Sequence, residues 1–219
     1  MKPYGVWAVG LVVIGLVGPL GCSAPRSEGG AVPVVANPRD YQETLEEVQT
    51  QSQSLILAYD EGEALDEDGK RRLAEAEARV QRLVEFDPTN PALSLLLGKF
   101  SLALGDSPQA AERFTQALAL LPNPIRSDTE RALAGEAFGG LARSAENQRD
   151  WTVAALRATE AITLQPKDPR WRTIRASAHL QLKQVKEARA DLKAALVADP
   201  AYPRALQLQR LMQVAEEGA

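Results

Sequence analysis

The sequence predicts an all-α fold, a right-handed α-solenoid of helix-turn-helix pairs closed by a C-terminal capping helix. Three observations carry that expectation: prolines recur at a fixed interval, small residues recur between them in one frame, and the last segment is amphipathic. Pro-x-x-Pro pairs stand at 88 and 91, 166 and 169, and 200 and 203, with Pro122 and Pro124 as a shortened version. Their first members are separated by 34, 44 and 34 residues. Proline ends one helix and is accepted in the first turn of the next, so each cluster marks a helix-to-helix junction. A period near 34 is that of a stacked helix-turn-helix unit.

Within residues 91–124, Leu97-Gly98 is followed by a Gly105-Asp106 turn and then by Ala110, Phe114, Ala117 and Pro122. Residues 135–168 repeat the frame with Phe138, Leu141-Ala142, Asp150, Ala154, Ala158, Ala161 and Pro166, and residues 169–202 with Ala176, Ala188, Leu192, Ala195 and Pro200. Small side chains let helix backbones approach, and Phe114 fills the gap between neighbouring pairs. These spacings resemble the tetratricopeptide (TPR) repeat. Ser94 and Ser101 depart from it, since the family prefers Trp and Tyr there.

Upstream, Ala76, Val80, Leu83 and Pro88 align with the second helix of the same unit, so residues 39–90 read as a degenerate first helix pair. Its first helix is expected at about 40–60, opened by Asp40 and Glu43 as a capping box. The acidic stretch from Asp60 to Gly69 reads as a solvated loop, because it lacks the ligand order of a calcium-binding loop. The 44-residue interval contains a ten-residue insert, 125–134, in which Ser127-Asp128-Thr129-Glu130 is a capping-box pattern. The insert is therefore expected to lengthen the next helix to roughly 128–147. Residues 203–219 form the capping helix, with Ala205, Leu208, Met212 and Ala215 on one side.

The amino terminus reads as an address. Residues 1–21 have a basic start, an apolar core from Val9 to Val17 and small residues ahead of Cys22, the features of a signal peptide. Cys22 is the only cysteine, and Gly18-Pro19-Leu20-Gly21-Cys22-Ser23 resembles the lipobox of bacterial lipoproteins. That resemblance implies that the thiol carries diacylglycerol and that cleavage makes Cys22 the acylated N-terminus. Pro19 departs from it, standing where the family has Leu. The alternative is an uncleaved helix, since the apolar segment approaches the roughly 20 residues a spanning helix needs. Either arrangement tethers the chain to a membrane. Residues 22–38, the lipidated cysteine with a Pro- and Gly-rich stretch, form a flexible tether.

Composition narrows the chemistry. The 219 residues include 25 Lys and Arg against 29 Asp and Glu, a net charge of −4, with one His. No general attraction to nucleic acid follows from that balance, and one Cys with one His leaves no structural zinc site. From Asp40 to Asn90 there are 14 acidic and 5 basic residues; from Pro91 onward there are 14 and 17. His179 lacks a Cys, Ser or acidic orienter at catalytic spacing and reads as a structural residue. Gly135-x-x-x-Gly139-Gly140 lacks the Lys-Ser/Thr ending of a phosphate loop. The chain reads as a non-enzyme with no cofactor and no metal.

The TPR resemblance implies that the first helices of successive pairs line a groove for a protein or peptide ligand. In this frame the groove carries Leu95, Lys99 and Leu102, then Glu136, Gly139, Arg143 and Glu146, then Arg170, Thr173, Ser177 and Leu180. It fits a segment with apolar anchors and acidic residues. Gly139 and Gly140 leave room for a close approach, by a ligand or by a neighbouring helix. The expectation is a membrane-anchored scaffold in envelope complex assembly, of outer-membrane, pilus or secretin type. Ser23 lacks the Asp of enteric inner-membrane retention, which favours an outer-membrane position facing the periplasm. The alternative is an accessory or regulatory subunit of an envelope enzyme, anchored by lipid or by an uncleaved N-terminal helix.

Overall fold

A computed structural model describes residues 38–217, with side chains over 39–214. The segment expected to be a signal peptide, Cys22 and the expected tether as far as residue 37 lie outside the described residues, as does the side chain of Ala215, whereas Pro38 already begins α1. The described chain is an all-helical α-solenoid: α1 Pro38–Glu61, α2 Glu67–Phe86, α3 Pro91–Ala103, α4 Ser107–Leu120, α5 Asp128–Asn147, α6 Trp151–Leu164, α7 Pro169–Gln181, α8 Val185–Ala198 and α9 Pro203–Glu217. Among the described residues no helix is long and apolar enough to cross a membrane.

Three pairs share one construction. The turn inside each has a left-handed residue, Gly105 (φ 90°), Arg149 (φ 62°) and Lys183 (φ 61°). The next amide then reaches back to the last turn: Asp106 to the Ser101 carbonyl, Asp150 to Ala145 and Gln184 to His179. This is the Schellman ending, which satisfies carbonyls a helix end leaves open. Asp106 and Asp150 go on to cap α4 and α6, accepting from the amides of Gln109 and Val153. Gln184 opens α8 without a side-chain bond to the backbone.

Packing repeats with the turns. Ala110, Phe114 and Ala117 of α4, Ala154, Ala158 and Ala161 of α6, and Ala188, Leu192 and Ala195 of α8 are all buried. Volume moves between partners: where α4 carries Phe114, α3 carries Gly98, whose hypothetical Cβ would lie 2.7 Å from the ring. Ala142 and Ala176 stand at the corresponding positions of α5 and α7, facing a core with Ala158 and Leu192.

At α5 the capping box is complete: the Ser127 hydroxyl accepts from the Glu130 amide, and the Glu130 carboxylate accepts from the Ser127 amide. At α1 the helix begins ahead of the expected box. The helix already runs from Pro38, placing Asp40 in its first turn, and Glu43 pairs with Arg39 at 3.0 Å. The acidic stretch is likewise shorter as a loop than expected. Glu61 still belongs to α1, Asp66 caps α2 by accepting from the Gly69 amide, and Glu67 and Asp68 form the first turn of α2. Acidic groups there oppose the positive end of the helix dipole. Ala205 of α9 is fully buried and Leu208 and Met212 pack beside it against the last pair.

Candidate functional site

Helices α3, α5 and α7 present one face to a common groove because equivalent positions recur at the repeat spacing. Glu136 sits at its centre and is nearly buried. It binds Lys99 of α3 at 2.7 Å and the guanidinium of Arg170 of α7. Burial pushes the Glu136 carboxyl up, but Arg170 and Lys99 outweigh it and hold the group down at about 2. Arg170 also chelates Asp168 through Nε and Nη2, and its guanidinium stacks 4.3 Å from the Trp171 ring centre. Its pKa is raised well above the usual value: burial pulls it down, and Glu136, Asp168 and Asp60 more than offset that.

The groove is already occupied. The end of α1 crosses it and places Tyr59 and Asp60 among the groove residues. Arg170 Nη1 donates to Asp60 Oδ2 at 3.1 Å. The Asp60 carbonyl, at the open C-terminal end of α1, accepts from the Tyr202 hydroxyl at 3.0 Å and from Arg143 Nη2 at 3.4 Å. Arg143 lies 5.7 Å from the centre of the Tyr59 ring, and Asn147 Nδ2 donates to the Tyr59 hydroxyl at 3.1 Å. Burial raises the pKa of Tyr202, keeping its hydroxyl a donor across the neutral range. Glu146 pairs with Arg204 at 3.2 Å and with Arg143 at 3.7 Å. The acidic corner is thus a docked element at its Tyr59–Asp60 end, and solvated only beyond it, where Glu63, Glu67 and Asp68 are exposed.

The groove residues read from the frame fall into three sets. Lys99, Glu136, Arg143, Glu146 and Arg170 converge as one charged network around Asp60. Leu95 and Leu102 are buried, in the apolar cluster of Phe114 on which Tyr59 packs, so they form floor beneath the corner. The remaining positions are not open. Gly139 faces the Trp171 ring, whose nearest atom would lie 2.3 Å from an added Cβ, and Gly140 faces Phe114 at 2.4 Å. A neighbouring helix therefore fills that space, and Gly139 offers a ligand no room. Thr173 is buried, its hydroxyl donating to the Pro169 carbonyl. Ser177 is half-buried, and Leu180 packs in the C-terminal cluster with Leu208 and Met212.

Tyr59, Asp60, Asn147, Tyr202 and Arg204 are the groove residues that repeat spacing does not identify. Their signal in the sequence is faint: the first helix is 24 residues long, against 13 for α3 and α7. His179 stands apart from this network. Its Nδ1 meets Gln184 Oε1 at 2.5 Å, and Nε2 is 3.8 Å from Asp191, which is already held by Arg175 through two bonds of 2.6 and 2.8 Å.

The family model of the tetratricopeptide repeat matches residues 61–123 and 140–203. More than half of the chain lies in those two segments, so the protein belongs to the tetratricopeptide repeat family, whose fold is that of a protein-interaction scaffold. No curated protein matches it significantly. Among solved structures it is similar to MamA, at 15% identity and a TM-score of 0.50 over 74% of this chain and 86% of that one. It also matches YrrB, described as a TPR protein with an unusual peptide-binding site, at 13% identity and a TM-score of 0.33 over 78% of this chain and 97% of that one.

Proposed function

We propose that this protein is a membrane-anchored, non-enzymatic scaffold of the bacterial envelope that holds a protein or peptide segment in the groove of α3, α5 and α7. One observation carries the reading of the groove: its cationic network already grips an aromatic–acidic helix end of the chain itself. A surface able to seat Tyr59 and Asp60 has the chemistry to seat the same groups from another chain. Apolar contacts on Leu95 and Leu102 supply affinity there, and Arg143 and Arg170 fix register. The envelope part rests on the sequence of residues 1–22, where a lone cysteine follows an apolar signal. Acyl chains at about 0.8 kcal/mol per buried methylene anchor such a protein stably. An assembly role, in outer-membrane, pilus or secretin complexes, follows from joining the two features.

Both parts are open to experiment. Cys22→Ala should abolish acyl labelling and release the protein from the membrane; attachment that persists with an intact 1–21 segment identifies the uncleaved anchor instead. Tagged full-length chain, cross-linked in its membrane and captured, should recover an assembly platform, and Arg170→Gln should lose it. Recovery of a single hydrolase or transferase would replace the assembly role with that of an accessory subunit.

A further inference from the structure

The groove's own occupant defines what it recognises. We infer that the partner segment carries an aromatic residue followed by an acidic one at a helix end, and that it enters by displacing the chain's Tyr59–Asp60 corner, an internal stand-in for it. The inference rests on the groove being the partner site.

Four features support it. The contacts read a minimal pattern: Arg170 takes the carboxylate, Tyr202 and Arg143 take a carbonyl at a helix C-terminus, and Asn147 takes the aromatic hydroxyl. The corner is also only partly buried: Leu55, Ile56 and Tyr59 rest on the cores without being enclosed. Tyr41, Val48 and Ser52 are buried in the first part of α1, but no residue from Gln53 to Glu61 is, and Leu57 is 55% exposed. Segments with so little burial open at low free energy.

The receiving groups, moreover, have partners besides the corner. Arg170 keeps Glu136 and Asp168, Asn147 keeps the Ser107 hydroxyl at 3.0 Å, and Arg204 keeps Glu146. A preorganised site loses little when its occupant leaves and gains affinity for the next. Finally, the corner leaves one donor unmet. Arg204 Nη1 is buried without a partner, and the Arg204 stem lies against Gly62, the residue where α1 gives way to the turn. A partner that brings an acceptor to Arg204 Nη1 would complete the set, and so can bind more tightly than the stand-in does.

The test uses a labelled peptide of residues 50–66 and the full-length protein. A tethered segment competes at an effective concentration in the millimolar range, so wild type should exclude the free peptide. The Tyr59→Ala/Asp60→Ala protein should bind it at least about tenfold more tightly than wild type, and a peptide carrying the same two alanines should bind neither. Hydrogen exchange on wild type gives a measurement independent of any variant. Amides 54–62 should exchange at least about a hundredfold faster than those around Val48 and Ser52.

Equal peptide affinity for the two proteins, binding to neither, or corner amides as protected as those around Val48 would overturn the inference. The groove reading fails separately. If an envelope partner is captured and lost with Arg170→Gln, yet the double alanine variant captures no more than wild type, the groove is the site but the corner is no competitor. If the peptide binds as expected and no partner depends on Arg170, the recognition chemistry stands and the partner reading falls.

Discussion

The three pairs α3–α4, α5–α6 and α7–α8 and the leading pair α1–α2 pack by different rules. In the three, second helices bury alanines at matching positions, and each large side chain is answered by a small one opposite, as Phe114 is by Gly98 and Gly140. In the leading pair Ala76 alone keeps the small residue of that frame, and Val48, Leu73, Val80 and Leu83 meet Leu93, Leu97 and the Phe100 ring in a core of larger side chains. Close backbone approach demands a fixed frame, and a core of branched side chains does not. The leading pair was therefore free to lengthen, and its first helix overruns the pair and lies across the groove. One region makes the scaffold rigid, and the other supplies the segment the scaffold holds.

The sharpest way to break this contrast is to add volume. Gly139→Leu drives a side chain into Trp171, which is buried, bonded through Nε1 to Gln165 and stacked under Arg170. We expect a loss of about 3 kcal/mol or more, with Ala110→Trp and Ala161→Trp similarly damaging. Leu57→Phe in the exposed part of α1, and Ala201→Trp in the exposed junction before α9, should each stay within about 0.5 kcal/mol. Urea unfolding measures all five, and comparable losses at Leu57 would show that α1 is packed as tightly as the repeats.

Next in size is the charged centre of the groove. Glu136 titrates near 2 in the fold, against an ordinary 4.5. Its contribution is therefore present above about pH 4.5 and is lost as pH falls toward 2, an effect of about 3 kcal/mol if fully expressed. Glu136→Gln should cost about that much at neutral pH, because Lys99 and Arg170 face each other without their shared anion. The gap between the two proteins should close as pH is lowered through that window. A gap independent of pH would mean that the loss comes from shape and not from charge.

Most of the scaffold was legible because it is periodic. Prolines at 34-residue steps and alanines in one frame are local consequences of stacking, so they show the pairs and the common face of Lys99, Arg143 and Arg170. What occupies that face was not legible. Asp60 meets Arg143, Arg170 and Tyr202 across 83, 110 and 142 positions of chain, and no repeat relates those residues. The glycines illustrate the same limit: Gly139 and Gly140 announce close approach, but only the fold shows that Trp171 and Phe114 make it. The acidic loop misled for a related reason, since Asp66, Glu67 and Asp68 serve a helix start.

A smaller effect is expected at the corner itself. Asp60 and Arg170 retain 24% and 18% of their side-chain exposure, and Arg170 has other carboxylates to turn to. Asp60→Ala should therefore cost about 1 kcal/mol or less in global unfolding. Hydrogen exchange at 54–62 should nevertheless rise clearly. A larger global loss would move α1's end from the occupant to the scaffold.

The smallest predicted change sharpens the comparison within the regular pairs. Asp106 and Asp150 cap their helices, while Gln184, in the same place after the same Schellman turn, does not and meets His179 instead. Its amide already bonds the His179 carbonyl, so the backbone is set for a cap and only the side chain is wrong. Gln184→Asp shortens the side chain by one methylene and lets a carboxylate accept from the amide of Glu187, three residues on, as Asp106 does from Gln109. The carboxylate also opposes the helix dipole. Loss of the His179 contact subtracts little, since His179 lies at the end of its own helix and the bond is exposed. A gain of about 0.5–1 kcal/mol in urea unfolding is expected. No gain would mean that the Gln184–His179 contact holds the turn as well as a cap does, and that the last pair departs from the construction of the two before it.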